Sequence, residues 1–128
     1  MTTTATSGVL IYAKQLEPMS AFYQRVLGAR EVHADDAHRV LRSADVELIL
    51  HAIPAHIADG IRIDAPPQPR EEQAIKPFFT VPSLAEAERA AEACGGGVHG
   101  PVWPAPGLRV RNVFDPEGNL LHLRERLP

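Results

Sequence analysis

After a polar start, the chain runs into Val9-Leu-Ile-Tyr-Ala13, an apolar stretch rich in β-formers and long enough for one strand. Leu16-Glu-Pro-Met-Ser-Ala-Phe-Tyr-Gln-Arg-Val-Leu27 follows, with Met19, Phe22, Val26 and Leu27 near helical spacing, so one face of a helix is apolar. Pro18 falls where a first-turn proline is tolerated, and Gly28 suits a C-terminal cap. Strands are expected at Ala29 to His33, His38 to Arg42 and Val46 to His51, with Ser43-Ala44-Asp45 as the turn between the last two. A period of two puts Leu48 and Leu50 on one face of the last strand, and Glu47, Ile49 and His51 on the other.

From 54 to 74 the rhythm breaks. Pro54, Pro66, Pro67 and Pro69 remove backbone donors and fix φ, so this stretch reads as a connector with one short element near Ile57 to Ile63. Connectors of that length are often binding segments or subunit contacts. The plan then repeats. Phe78-Phe-Thr-Val81 reads as a strand. Ser83, with Glu86 three residues on, forms a capping box for an Ala-rich helix that runs to Cys94 and stops at Gly95-Gly96-Gly97. Further strands are expected at Val98 to His99, Leu108 to Phe114 and Leu120 to Arg124, the last two joined by the turn Asp115-Pro-Glu-Gly-Asn119. Two modules, about 8–53 and 75–126, therefore share one order: a strand, a Gly-terminated helix, then three strands. Leu16 meets Leu84 at an offset of about 68 and His51 meets His122 at about 71, a degenerate duplication within one α+β domain.

Composition narrows the function classes. A chain of 128 residues buries a real core without disulfide or metal staples. Apolar residues make up 45% and charged ones 23%, the balance of a globular protein. Net charge is −3 with no basic run, which argues against nucleic acid and anionic membrane as partners. No apolar stretch approaches the ~20 residues a bilayer requires. Cys94 is the only cysteine, which excludes an internal disulfide and a thiolate-rich zinc site and fits a reducing cytoplasm. The polar start lacks a basic-then-apolar leader pattern, so a cytoplasmic location is expected by default. Neither a phosphate-binding Gly-rich loop with Lys-Ser/Thr nor a Gly-x-Ser-x-Gly elbow is present.

Two motifs carry a resemblance. Ala21-Phe-Tyr-Gln-Arg-Val-Leu-Gly28 resembles the first-helix motif of the vicinal oxygen chelate superfamily, which includes glyoxalase I, bleomycin- and fosfomycin-resistance proteins and extradiol dioxygenases. Asp115-Pro-Glu-Gly-Asn-Leu-Leu-His-Leu-Arg-Glu125 is similar to its near-terminal motif, an Asp-Pro-x-Gly-Asn turn feeding the last strand. The resemblance implies two βαβββ modules enclosing a cup-shaped cavity for a small-molecule ligand, and a homodimer with the connector in its interface. In metal-dependent members, one position on the first and last strand of each module holds a divalent ion. Carried over by motif spacing, these positions are Gly8, His51, Lys76 and His122. Glycine has no side chain and an ammonium only donates protons, so just His51 and His122 remain as metal ligands, an incomplete set for Zn, Ni, Mn or Fe. Three readings follow: a metal-free binding protein of the bleomycin-resistance type, a divalent-metal-dependent lyase, isomerase or dioxygenase, or a non-catalytic regulatory module.

The candidate residues follow from parity and position. His51 and His122 lie opposite their Leu neighbours and point at the cavity as catalytic proton-transfer groups, metal ligands or hydrogen-bond partners; the plain alternative is a pair of solvated strand histidines. Glu47 shares the His51 face. Lys76, just before a strand, is placed to bind a substrate carboxylate or enolate-like oxygen. Arg111, alternating with Arg109, could orient an anionic substrate bidentately. Tyr12 shares its face with Gly8 and Leu10 on the cavity side. Trp103, in Pro101-Val-Trp-Pro-Ala-Pro106, reads as part of a stiff loop over the cavity mouth. Cys94, at a helix C-terminus that disfavours a thiolate, reads as structural.

Overall fold

A computed structural model of the protein describes residues 5–128; the opening Met1-Thr-Thr-Thr of the polar start lies outside them. The first module is β1 (Gly8–Ala13), α1 (Leu16–Leu27), β2 (Arg30–Ala34), β3 (His38–Arg42) and β4 (Glu47–Ala52). A four-residue helix α2 (Ala55–Ala58) follows. The second module is β5 (Phe78–Thr80), α3 (Leu84–Ala93), β6 (Gly97–Ala105), β7 (Leu108–Phe114) and β8 (Leu120–Arg126). Each builds a four-stranded sheet, ordered β1-β4-β3-β2 (sheet 1) and β5-β8-β7-β6 (sheet 2). In both, the first strand runs parallel to the last, a pairing that needs the intervening helix and strands as its crossover. The α+β architecture with two βαβββ modules is the one the sequence pattern implies.

The expected alternation decides what is buried. Leu41, Leu48 and Leu50 of sheet 1 and Val113, Leu121 and Leu123 of sheet 2 turn inward. They meet Met19, Phe22, Tyr23 and Val26 of α1 and Leu84, Ala87, Ala90 and Ala91 of α3 in one core cluster. The two helices also pack directly on each other, so both modules share that core. α1 has the bounds its periodicity predicts and ends at Gly28, whose φ of 68° is the left-handed cap conformation. Ser83 caps α3 by accepting from the Glu86 N–H at 3.2 Å. Replacing Ser83 with alanine is therefore expected to cost about 1 kcal/mol, read as a lower urea midpoint.

The two motifs that stand far apart in sequence meet in space. The Tyr23 hydroxyl of α1 donates to Asp115 Oδ2 at 2.6 Å, across 92 positions. Asp115 also accepts from the backbone N–H of Glu117 and Asn119 and from the Asn119 side chain. Glu117 in turn accepts from the N–H groups of Lys14 and Gln15 at 2.8–2.9 Å. Gln15, at the N-cap of α1, makes no side-chain cap of its own. The turn of module 2 thus caps the helix of module 1, satisfying donors that a helix start leaves orphaned.

Two local expectations are corrected. α2 begins at Ala55, directly after Pro54, and ends before the Ile57 to Ile63 window closes. The second strand of module 2 is not confined to Val98 to His99. β6 continues through Pro101, Trp103 and Pro104 to Ala105, with a register irregularity between His99 and Trp103. Because β6 is an edge strand, its prolines remove N–H groups that no neighbour needs, and Gly100, at φ 79°, sits within the irregular stretch.

Candidate functional site

Each sheet has a second face turned away from the helices, and these faces carry the polar chemistry. Strand β1 alternates in exposure, placing Leu10 and Tyr12 on the open face and Ala13 inward. Register then aligns Tyr12, His51 and His38 across β1, β4 and β3. The His51 ring centroid lies 5.3 Å from Tyr12 and 4.6 Å from His38. His51 Nδ1–H donates to the Ala52 carbonyl at 2.8 Å, which leaves Nε2 with its lone pair. Farther along the same face, Glu47 pairs with Arg42 at 3.1 Å.

Sheet 2 repeats the arrangement with different chemistry. Phe78, His122 and Asn112 form the corresponding row across β5, β8 and β7. Trp103 stands edge-on to His122, with centroids 6.0 Å apart. The Arg124 guanidinium lies 4.2 Å over the Phe78 ring and donates to His122 Nε2 at 3.2 Å. A guanidinium only donates, so Nε2 accepts and Nδ1 carries the ring proton. Lys76 Nζ reaches Asn112 Oδ1 at 3.4 Å. Burial, then the charges of Arg124 and Lys76, hold the His122 pKa below its ordinary value, favouring the neutral imidazole.

The structure groups most of the expected residues and disperses others. Tyr12 and His51 stand together, with Glu47 on the same face but engaged by Arg42. Lys76 and Trp103 gather around His122, Trp103 from a strand and not from a loop over a cavity mouth. Arg111 goes to the opposite face. It is in register with the buried Leu123, and its guanidinium bonds Gly100 O and Glu88 of α3. Strand parity is the cause, since Asn112 takes the open side beside His122. Register also shifts the carried-over metal positions. Gly8 pairs with Glu47, and the β1 residue opposite His51 is Tyr12; the β5 residue opposite His122 is Phe78, not Lys76.

His38, Asn112 and Arg124 were not anticipated. Arg124 was within reach of sequence reasoning, as it sits two residues from His122 on the same strand face. His38 and Asn112 required the cross-strand register.

These donors do not fit a divalent metal. Among the described residues, no group of three or more His, Cys, Asp or Glu side chains gathers at one point. A phenol and one imidazole flank His51, while a guanidinium already occupies the His122 lone pair. A groove of about 750 Å³ lies between the edge strands β1 and β5, lined by Gly8, Val9, Phe79, Thr80 and Arg126, and takes in neither histidine. His51 lines a separate hollow of about 570 Å³ with Lys14, Ile53 and Asp59. No helix among the described residues is long and apolar enough to cross a membrane.

Comparison with known proteins places this geometry. Residues 8–124 match the family model of the glyoxalase-like domain. No curated protein matches the chain in sequence. Among solved structures, a glyoxalase/bleomycin resistance protein/dioxygenase family enzyme from Burkholderia phytofirmans PsJN is 20% identical with a TM-score of 0.73, covering 97% of this chain and 100% of its own. A glyoxalase/bleomycin resistance protein from Albidiferax ferrireducens T118 is also 20% identical, with a TM-score of 0.69 and coverage of 94% and 98%. A bleomycin-binding protein solved with bleomycin is 23% identical, with a TM-score of 0.60 and coverage of 98% and 100%. At these identities the structures speak for the fold, which is that of the glyoxalase/bleomycin resistance proteins, and the family model, spanning nearly the whole chain, speaks for descent: the protein belongs to the glyoxalase-like domain family.

Proposed function

We propose that this protein is a metal-free binder of a small molecule, which it takes on the open faces of its two sheets. The observation that carries the reading is the repeated row: an aromatic residue, a histidine and a third polar side chain at equivalent register in both modules. Tyr12 and Phe78 are 61% and 60% exposed, and Leu10 is 49% exposed, far more than isolated core-type residues need to be. Such a surface has the mixed apolar and polar character of a ligand site. A homodimer belongs to the same reading, because the exposed Ile57 and Ile75, in the segment that joins the two modules, offer a second copy apolar surface to cover. A cytoplasmic setting suits the free thiol of Cys94.

The test uses Trp103, the single tryptophan, as reporter. A screen of small apolar, anionic and cationic compounds by Trp103 fluorescence and thermal midpoint is expected to yield ligands whose effect is lost in His122→Ala while that variant stays folded. Calorimetry of the chelator-treated protein with Zn²⁺, Ni²⁺, Mn²⁺ and Fe²⁺ is expected to show no site-specific uptake. Stoichiometric uptake abolished in His51→Ala/His122→Ala would overturn the metal-free reading in favour of a metal-dependent enzyme. A screen in which no compound moves either signal would overturn ligand binding and favour a regulatory module.

A further inference from the structure

We propose that the open face of sheet 2 recognises a small organic acid, with Lys76 and Arg124 taking its carboxylate and Phe78 and Trp103 flanking its apolar part. The inference rests on ligand binding at the open faces and adds the chemical class.

Among the described residues, five of the thirteen Lys and Arg side chains meet a carboxylate, Arg62 with Asp64 among them. Arg39 pairs with Glu31, Arg42 with Glu47, Arg109 with Glu125 and Arg111 with Glu88. Among the described residues, neither Lys76 nor Arg124 has a carboxylate in ion-pair range. Both converge on one row, Arg124 through His122 and Lys76 through Asn112.

The donors are also under-used. Arg124 Nε, like Arg42 Nε on sheet 1, is shielded from solvent, so a bound acceptor would meet the terminal amino groups of the Arg124 guanidinium. The Lys76 ammonium has three donors and one long bond at 3.4 Å. With its Nε2 held by Arg124, His122 presents Nδ1–H, a further neutral donor. An anion at this place would meet guanidinium, ammonium and imidazole donors, the set that binds carboxylates strongly. The Phe78 ring under Arg124 and the Trp103 ring beside His122 supply flat apolar surface next to that charge. Sheet 1 lacks this character. Its Arg42 is neutralised by Glu47, and its His38 is bonded to Asp35. An anionic ligand is thereby directed to sheet 2.

The probes are benzoate, its neutral isostere benzamide and the cation benzylammonium, titrated into the full chain with Trp103 fluorescence as the signal. Benzoate is expected to bind about tenfold or more tighter than either analogue and to weaken with added salt. Lys76→Gln and Arg124→Gln should each weaken benzoate at least about fivefold, and Arg111→Gln, on the opposite face, should not. Lys76 lies outside any strand, so its variant keeps the test valid should Arg124→Gln fail to fold. Equal binding of all three probes, no saturable benzoate response, or unaltered benzoate affinity in Lys76→Gln would overturn the proposal. If neutral or cationic compounds move Trp103 while benzoate does not, ligand binding stands and only the anionic class falls. If no compound in the wider screen does, the ligand reading itself has failed.

Discussion

Replacing Phe22 with alanine is expected to lower folding stability by about 3–5 kcal/mol, read as a fall in urea midpoint at unchanged denaturant slope. Phe22 is fully buried and stands edge-on to Tyr23, with ring centroids 5.0 Å apart at 78°. Its other edge lies against Gly96, where an added Cβ would come within 2.7 Å of Phe22 Cε2 and collide with the Phe114 carbonyl oxygen. The ring therefore fills space at the point where α1 meets the end of α3 and the strand beyond it. Backbone forms part of that wall, so the cavity left by truncation collapses poorly, and incomplete collapse is what raises the cost of such changes. A loss below about 1 kcal/mol would show that α1 is not seated in the shared core as described.

Replacing Asp115 with alanine should cost a similar amount, about 3–5 kcal/mol, for a different reason. Its carboxylate gathers the Tyr23 hydroxyl, the Asn119 amide and two backbone N–H groups, and all of them lose their acceptor at once. Tyr23→Phe removes one of these bonds and should cost about 1–3 kcal/mol. The double variant should fall short of the sum, since both changes break the same contact. Acidity gives an independent check. Burial pushes the Asp115 carboxyl above its ordinary value, against the opposing hydrogen bonds from Tyr23, Asn119 and the backbone. A carboxyl raised in the folded state favours folding fully below its unfolded pKa, and that contribution is lost as pH rises through the folded value. The stability of wild type relative to Asp115→Asn should therefore decline as pH rises from about 4 towards neutrality. A relative stability that climbs over that range would mean that the hydrogen bonds outweigh burial.

Both predictions fall on residues whose surroundings were only partly legible in sequence. The spacing of Met19, Phe22 and Val26 announces a helix with one apolar face, and Gly28 announces its end. It does not announce that Tyr23 reaches Asp115. Asp115-Pro-Glu-Gly-Asn119 reads as a turn from local chemistry alone, since each residue type there favours a bend. That Glu117 caps the helix of the other module depends on where a segment about 100 residues away comes to rest. The misplacement of Trp103 has the same origin. Two prolines near it signal a loop, and only the position of β6 at the sheet edge makes them acceptable in a strand.

The sequence by itself determined what acts over a few residues: strand and helix periods, the Ser83 cap, the turns, the repeated order of elements, and which face of β4 and β8 each histidine takes. These follow from backbone geometry, because neighbours along a strand alternate sides whatever lies beyond. Tertiary structure decided what stands across from each of those residues. It set Tyr12 opposite His51 and Phe78 opposite His122, gave Glu47 to Arg42, turned Arg111 to Glu88 and, among the described residues, left Lys76 and Arg124 without a carboxylate. Such pairings depend on the hydrogen-bonded register of strands far apart in the chain, and a shift of one residue would reverse every face. Charge acts through that same space, so the character of the site was fixed only when the sheets were.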